Sequence, residues 1–74
     1  MTTNNTQSRS HFCIYDYYLD GTFLKWEEVL GECPILVAGQ QCTVNLDDGT
    51  QVNGEVIETI SISENERRIM LRSL

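Results

Sequence analysis

Hydrophobic and polar residues alternate most regularly between Gly39 and Ile62. Cys42, Val44 and Leu46 alternate with Thr43 and Asn45, Asp47-Asp48-Gly49-Thr50 supplies turn residues, and Val52, Gly54, Val56, Ile60 and Ile62 keep the same parity. The pattern predicts an antiparallel hairpin with one buried face. Gly54, inside the second strand, marks a place where the strand can bend or let another backbone approach, which suggests a small barrel. The same parity points Glu58 inward and Ile57 outward, so a bulge near Ile57 is expected. Ser63-Glu64-Asn65-Glu66 then reads as a turn, and Arg67 to Leu74 as a closing strand with Ile69 and Leu71 inside.

Upstream, residues 1–10 are nearly all polar and read as a disordered tail. Residues 11–18 are dense in aromatic and β-branched side chains and stop at Asp20-Gly21, which predicts a strand followed by a turn. Phe12 and Ile14 lie on one side of that strand, and Cys13, Tyr15 and Tyr17 on the other. The Tyr15 and Tyr17 side is either core or a binding face, because tyrosine tolerates half-burial. From Thr22 to Leu30, Phe23, Trp26, Val29 and Leu30 fall within one helical arc. Thr22 or Asp20 can cap its start, and Gly31 can end it with Pro34 beyond. A short helix over 23–30 is expected, with Trp26 covering an open end of the sheet, then a short strand over Ile35–Ala38. The resulting fold class is mainly β (α+β): one antiparallel barrel domain over residues 11–74, with four or five strands and one short helix.

Length and composition bound this picture without changing it. A chain of 74 residues holds one small core. Leu, Ile, Val and Phe make up about 27% of it, above the level at which composition predicts disorder. The formal charge of −6 is uneven: residues 11–66 hold all eleven acidic residues and, of the basic ones, Lys25 alone, whereas Arg67, Arg68 and Arg72 cluster at the end. Such a body is repelled by phosphate backbones and anionic lipid, so direct nucleic-acid binding and membrane binding are not expected. Without an apolar run of about 20 residues or a signal-peptide core, a cytoplasmic protein is expected.

Candidate chemistry is sparse. Cys13, Cys33 and Cys42 form no CxxC pair and no even set, so a disulfide framework is not indicated. His11 stands two residues before Cys13, but the spacing matches no zinc knuckle, and no metal or other cofactor is expected. His11 is also the only histidine available to a Ser/His/Asp or Cys/His centre. The paired carboxylates Asp47-Asp48 and Glu27-Glu28 diverge as sequence neighbours, and the five glycines are isolated rather than gathered in a phosphate loop. No enzymatic activity is expected.

The pattern Gly39-x-x-Cys42-x-Val44-x-Leu46-x-Asp48-Gly49-x-x-Val52-x-Gly54-x-Val56 resembles the first signature of Sm-like proteins. The resemblance covers 18 residues and implies a small Sm/SH3-like barrel with a helix before the hairpin. Where RNA-binding Sm proteins carry Asp and then Met-Asn, this chain has Ile60, Ser63 and Glu64, so the resemblance implies no RNA pocket. In acidity, architecture and the Leu-x-Asp-Gly turn, the chain is similar to the acidic Rho-termination inhibitor (Rof) family. That likeness implies a regulator that occupies a basic, nucleic-acid-handling protein.

Two function classes follow. The first is an acidic inhibitor that docks a basic protein surface through Asp16, Asp20, Glu27, Glu28, Glu32, Asp47, Asp48 and Glu55, with Tyr15 and Tyr17 as an alternative interface. The second is a structural or homo-oligomeric module that pairs through an edge strand.

Overall fold

A computed structural model describes residues 12–31 and 35–74. The expectations placed on the tail 1–10, His11, Glu32, Cys33 and Pro34 lie outside the described residues. Five strands form one curled, half-barrel sheet: β1 (Phe12–Leu19), β2 (Thr22–Leu30), β3 (Gln41–Asn45), β4 (Gln51–Ser63) and β5 (Glu66–Ser73). Their spatial order is β2-β1-β5-β4-β3. An N-terminal hairpin and a C-terminal three-stranded meander are joined by a parallel β1–β5 pair, whereas a wholly antiparallel sheet was expected.

The helix expected over 23–30 is replaced by β2. Asp20 and Gly21 both take positive φ, 50° and 85°, between the paired residues Leu19 and Thr22. Two residues with φ > 0 make a tight type I′ connection, whose twist feeds the chain straight back along β1. The hairpin thereby supplies backbone partners that an isolated nine-residue helix lacks. Register then shifts between Tyr17↔Lys25 and Tyr18↔Phe23, leaving Leu24 unpaired in a bulge. Leu24 packs against the core, while Phe23 sits edge-on to Tyr18 with ring centroids 5.5 Å apart. Trp26 does not cover an open end; it is 58% exposed on β2. Ile35–Ala38 is likewise loop rather than strand.

The β3–β4 hairpin agrees with the alternation. Val44 and Val56 are buried, and Leu46 N–H donates to Thr50 O at 2.8 Å across the turn. The bulge expected near Ile57 is present, because register passes from Val56↔Leu71 to Glu58↔Met70. It turns Glu58 outward as expected, but Ile57 stays exposed and the parity change carries Ile60 and Ile62 off the core side. Thr59, opposite the buried Ile69, takes their place and donates its hydroxyl to Leu36 O at 2.6 Å. Cys13, Tyr15, Tyr17, Val44, Val56, Ile69 and Leu71 form the core on the concave side. Each of its larger aliphatic side chains stabilises the fold by about 1.5–3 kcal/mol. Cys13 is disulfide-bonded, although the cysteine spacing indicated no disulfide framework, and Cys42 is free. Cys13 is buried in β1 between β2 and β5, a placement that cysteine spacing alone does not reveal.

Candidate functional site

The curled sheet has a concave and a convex side, and the predicted acidic residues divide between them. Glu27 faces the concave side, where the Tyr17 hydroxyl donates to its Oε2 at 3.0 Å. Lys25, on the same side, donates from Nζ to Asn45 O at 2.8 Å and lies 3.7 Å from Asp47 and 4.0 Å from Glu27. Lys25 thus bridges the two edge strands β2 and β3, between which no backbone pairing occurs among the described residues. Burial first, and then the hydrogen bond to Glu27, raises the Tyr17 pKa well above that of free tyrosine. Burial and the nearby Glu27 carboxylate likewise push the Cys42 thiol up, which makes it a poor nucleophile.

Two other predicted positions serve the fold. Asp20 accepts from the Ser73 hydroxyl and from Ser73 N–H, the latter at 3.2 Å; these bonds hold its carboxyl below the usual range and fasten the chain end to the first turn. Asp48 accepts from Thr50 N–H at 2.9 Å inside its own turn, which lowers its pKa in the same way. Glu55 receives Arg72 through Nε and Nη2, at 3.1 and 2.8 Å. Beside that pair lies a shallow cavity of about 290 Å³, lined by Ala38, Gly39, Glu55, Val56, Ile57 and Arg72.

The convex side is built differently. Strand register sets Trp26, Asp16, Arg68 and Ile60 in one row across β2, β1, β5 and β4. A second row holds Phe23, Tyr18, Met70 and Glu58, and a third holds Glu28, Ile14 and Glu66. The Arg68 guanidinium lies over the Tyr18 ring, 5.1 Å from its centroid. Asp16 and Glu66 share a hydrogen bond; together with partial burial and the Asp16 charge, it raises the Glu66 pKa, against the lowering pull of Arg68. Asp16 and Glu28 are therefore the two predicted residues that these rows set on one side; Glu55 lies farther along the same side, held by Arg72, while Glu27 and Asp47 meet Lys25 and Asp20 meets Ser73.

Tyr15 and Tyr17, each 6% exposed, belong to the concave core. The exposed aromatic surface is made instead by Phe23 and Trp26, which the helical reading had turned inward. The Asp20-Gly21 dipeptide carried the signal for a two-residue hairpin, whereas the bulge at Leu24, which puts Trp26 opposite Asp16 on the outer side, left no signal of its own. Among the described residues no cluster of three metal-ligating side chains occurs, and no helix is long and apolar enough to cross a membrane. Compared with family models, with curated proteins and with solved structures, the chain matches none.

Proposed function

We propose that the chain is a small acidic binding protein that docks on the basic surface of a nucleic-acid-handling protein and blocks it, without enzymatic activity of its own. One observation carries this reading: the fold leaves most of its carboxylates unneutralised. Lys25 and Arg72 engage Glu27, Asp47 and Glu55. Asp16, Glu28, Asp48, Glu58, Glu64 and Glu66 have no basic side chain within 4.0 Å among the described residues. An excess of one sign on a small surface steers it toward the opposite sign and toward sites that hold phosphate. The Sm-like signature and the Rof-like acidity agree with a regulator of this type.

The test begins with the chain as bait in a lysate washed at rising salt, followed by purification of the captured protein. Adding the chain should then displace a labelled oligonucleotide from that protein. Displacement should weaken steeply with salt, since the Debye length falls from about 10 Å at 0.1 M to about 3 Å at 1 M. Glu28→Lys with Asp48→Lys should slow association while leaving the fold intact. Capture that is indifferent to salt and to charge reversal would favour the homo-oligomeric module. A cytoplasmic protein would meet reducing conditions, in which the Cys13 disulfide does not persist, so this reading also requires the core to hold without it.

A further inference from the structure

The convex side of β2, β1 and β5 combines features found nowhere else on the described surface. Trp26 is 58% exposed, Phe23 49% and Leu30 84%, on a nine-residue edge strand whose single neighbour among the described residues is β1. Carboxylates interleave with these side chains: Asp16 pairs with Trp26 across the strands and Glu28 with Ile14. Asp16 and Glu66 lie on one side of the parallel β1–β5 pair, and hydrogen bonding to Asp16 and its charge raise the Glu66 pKa, a repulsion that a cation between them would relieve. Arg68 is the one basic side chain in these rows, against Asp16, Glu28, Glu58 and Glu66. A second copy of the chain would therefore bring like charges together, while a basic partner would relieve the repulsion.

The face also displays how a guanidinium fits it, because that of Arg68 lies over the Tyr18 ring, 5.1 Å from its centroid. The neighbouring indole of Trp26 lies beside Asp16 and Glu28 with no such group upon it among the described residues. Trp offers the strongest cation–π face, and the planar fork of arginine both stacks on an aromatic ring and bonds carboxylates bidentately, which a lysine ammonium cannot do. Resting on the acidic-binder reading above, we infer that this convex face docks an arginine-bearing segment of the partner, with the guanidinium stacked on Trp26 and bonded to Asp16 and Glu28.

The experiment uses the isotope-labelled full chain and three probes: a nona-arginine peptide, a nona-lysine peptide and a neutral Gly-Ser peptide. Trp26 is the chain's only tryptophan, so its indole N–H resonance and its fluorescence report on this face directly. Nona-arginine should shift the Trp26 indole and the β1 and β2 amides, binding about three-fold or more tighter than nona-lysine, while the neutral peptide shifts nothing. Asp16→Asn with Glu28→Gln should weaken nona-arginine binding by about tenfold. Trp26→Ala should abolish the preference for arginine; its exposed position keeps the fold intact, which circular dichroism checks. Shifts confined to the Asp47-Asp48 turn, or equal binding of the two cationic peptides, would overturn the inference and leave the acidic-binder reading standing. A lack of salt-sensitive shifts with either cationic peptide would overturn both. A dimer in sedimentation that Trp26→Ala dissolves would overturn the inference by giving the face to a second copy.

Discussion

The Tyr17 hydroxyl and Glu27 meet diagonally across the first hairpin, 3.0 Å apart, because Tyr17 stands opposite Lys25 and Glu27 opposite Tyr15. Tyr17→Phe should therefore cost about 1–2 kcal/mol at pH 7, since it leaves the Glu27 carboxylate without its donor. The folded Tyr17 has a raised pKa, so above about pH 10 the unfolded state holds fewer protons than the folded one. Its contribution is present below pH 10 and lost as pH rises beyond it. Urea denaturation at pH 7 and at pH 11 should show a steep alkaline loss in the natural chain and a shallower one in Tyr17→Phe.

Gly54 is required for space. A Cβ built there would lie 3.0 Å from Leu71 Cβ, 3.1 Å from Arg72 O and 3.3 Å from Leu19 Cδ1. Gly54→Ala should destabilise by about 1–3 kcal/mol, and Gly54→Val by more, because the backbone of Arg72 cannot yield as a side chain can. For a domain of this size each kcal/mol corresponds to roughly 4–8 °C in Tm, which a thermal melt resolves. An unchanged melt would mean that β4 and β5 separate at this point.

Hydrogen bonding to Asp16, then partial burial and the Asp16 charge, raise the pKa of Glu66. With its folded pKa raised, Glu66 contributes stability at pH values below its unfolded pKa and loses that contribution as pH rises through the folded value. Asp16→Asn removes the cause. In a carboxyl-carbon NMR titration, the Glu66 midpoint should then move down toward that of an ordinary glutamate. An unmoved midpoint would show that Asp16 is not what raises it.

Lys25 spans the gap between β2 and β3 by its hydrogen bond to Asn45 O. Lys25→Met should cost no more than about 1 kcal/mol globally, as expected for partly exposed charge contacts. Locally, amide exchange over residues 41–45 should accelerate while that of the central strands β1 and β5 stays unchanged. Uniform acceleration across the sheet would assign Lys25 a global role instead.

Alkylation of the folded chain without reductant should label Cys42 slowly and leave Cys13 unlabelled. Adding reductant should lower stability by about 2–4 kcal/mol, the usual worth of a disulfide. If the cooperative melt survives reduction, the buried core suffices in a reducing compartment. If it vanishes, the cytoplasmic assignment fails with it.

Alternation in the sequence determined the β3–β4 hairpin, the bulge at Ile57 and the closing strand with Ile69 and Leu71 inside. These features are local, since each follows from a period of two and a turn with the right residues. The identity of β2 was decided by pairing: Phe23, Trp26, Val29 and Leu30 suit a helical arc, but the positive φ of Asp20 and Gly21 sends the segment along β1. The parallel β1–β5 contact, which makes one sheet of two halves, joins residues about fifty positions apart and leaves no local trace in composition. The candidate site divides in the same way. Excess negative charge was legible as a sum over residues 11–66, whereas its placement was not: Glu27, Asp47 and Glu55 became internal partners of Lys25 and Arg72. Asp16 and Glu28 came to flank an exposed Trp26 because a one-residue bulge at Leu24 sets which side of β2 faces outward. Register governs every side chain beyond such a bulge, and register is fixed by the neighbouring strand.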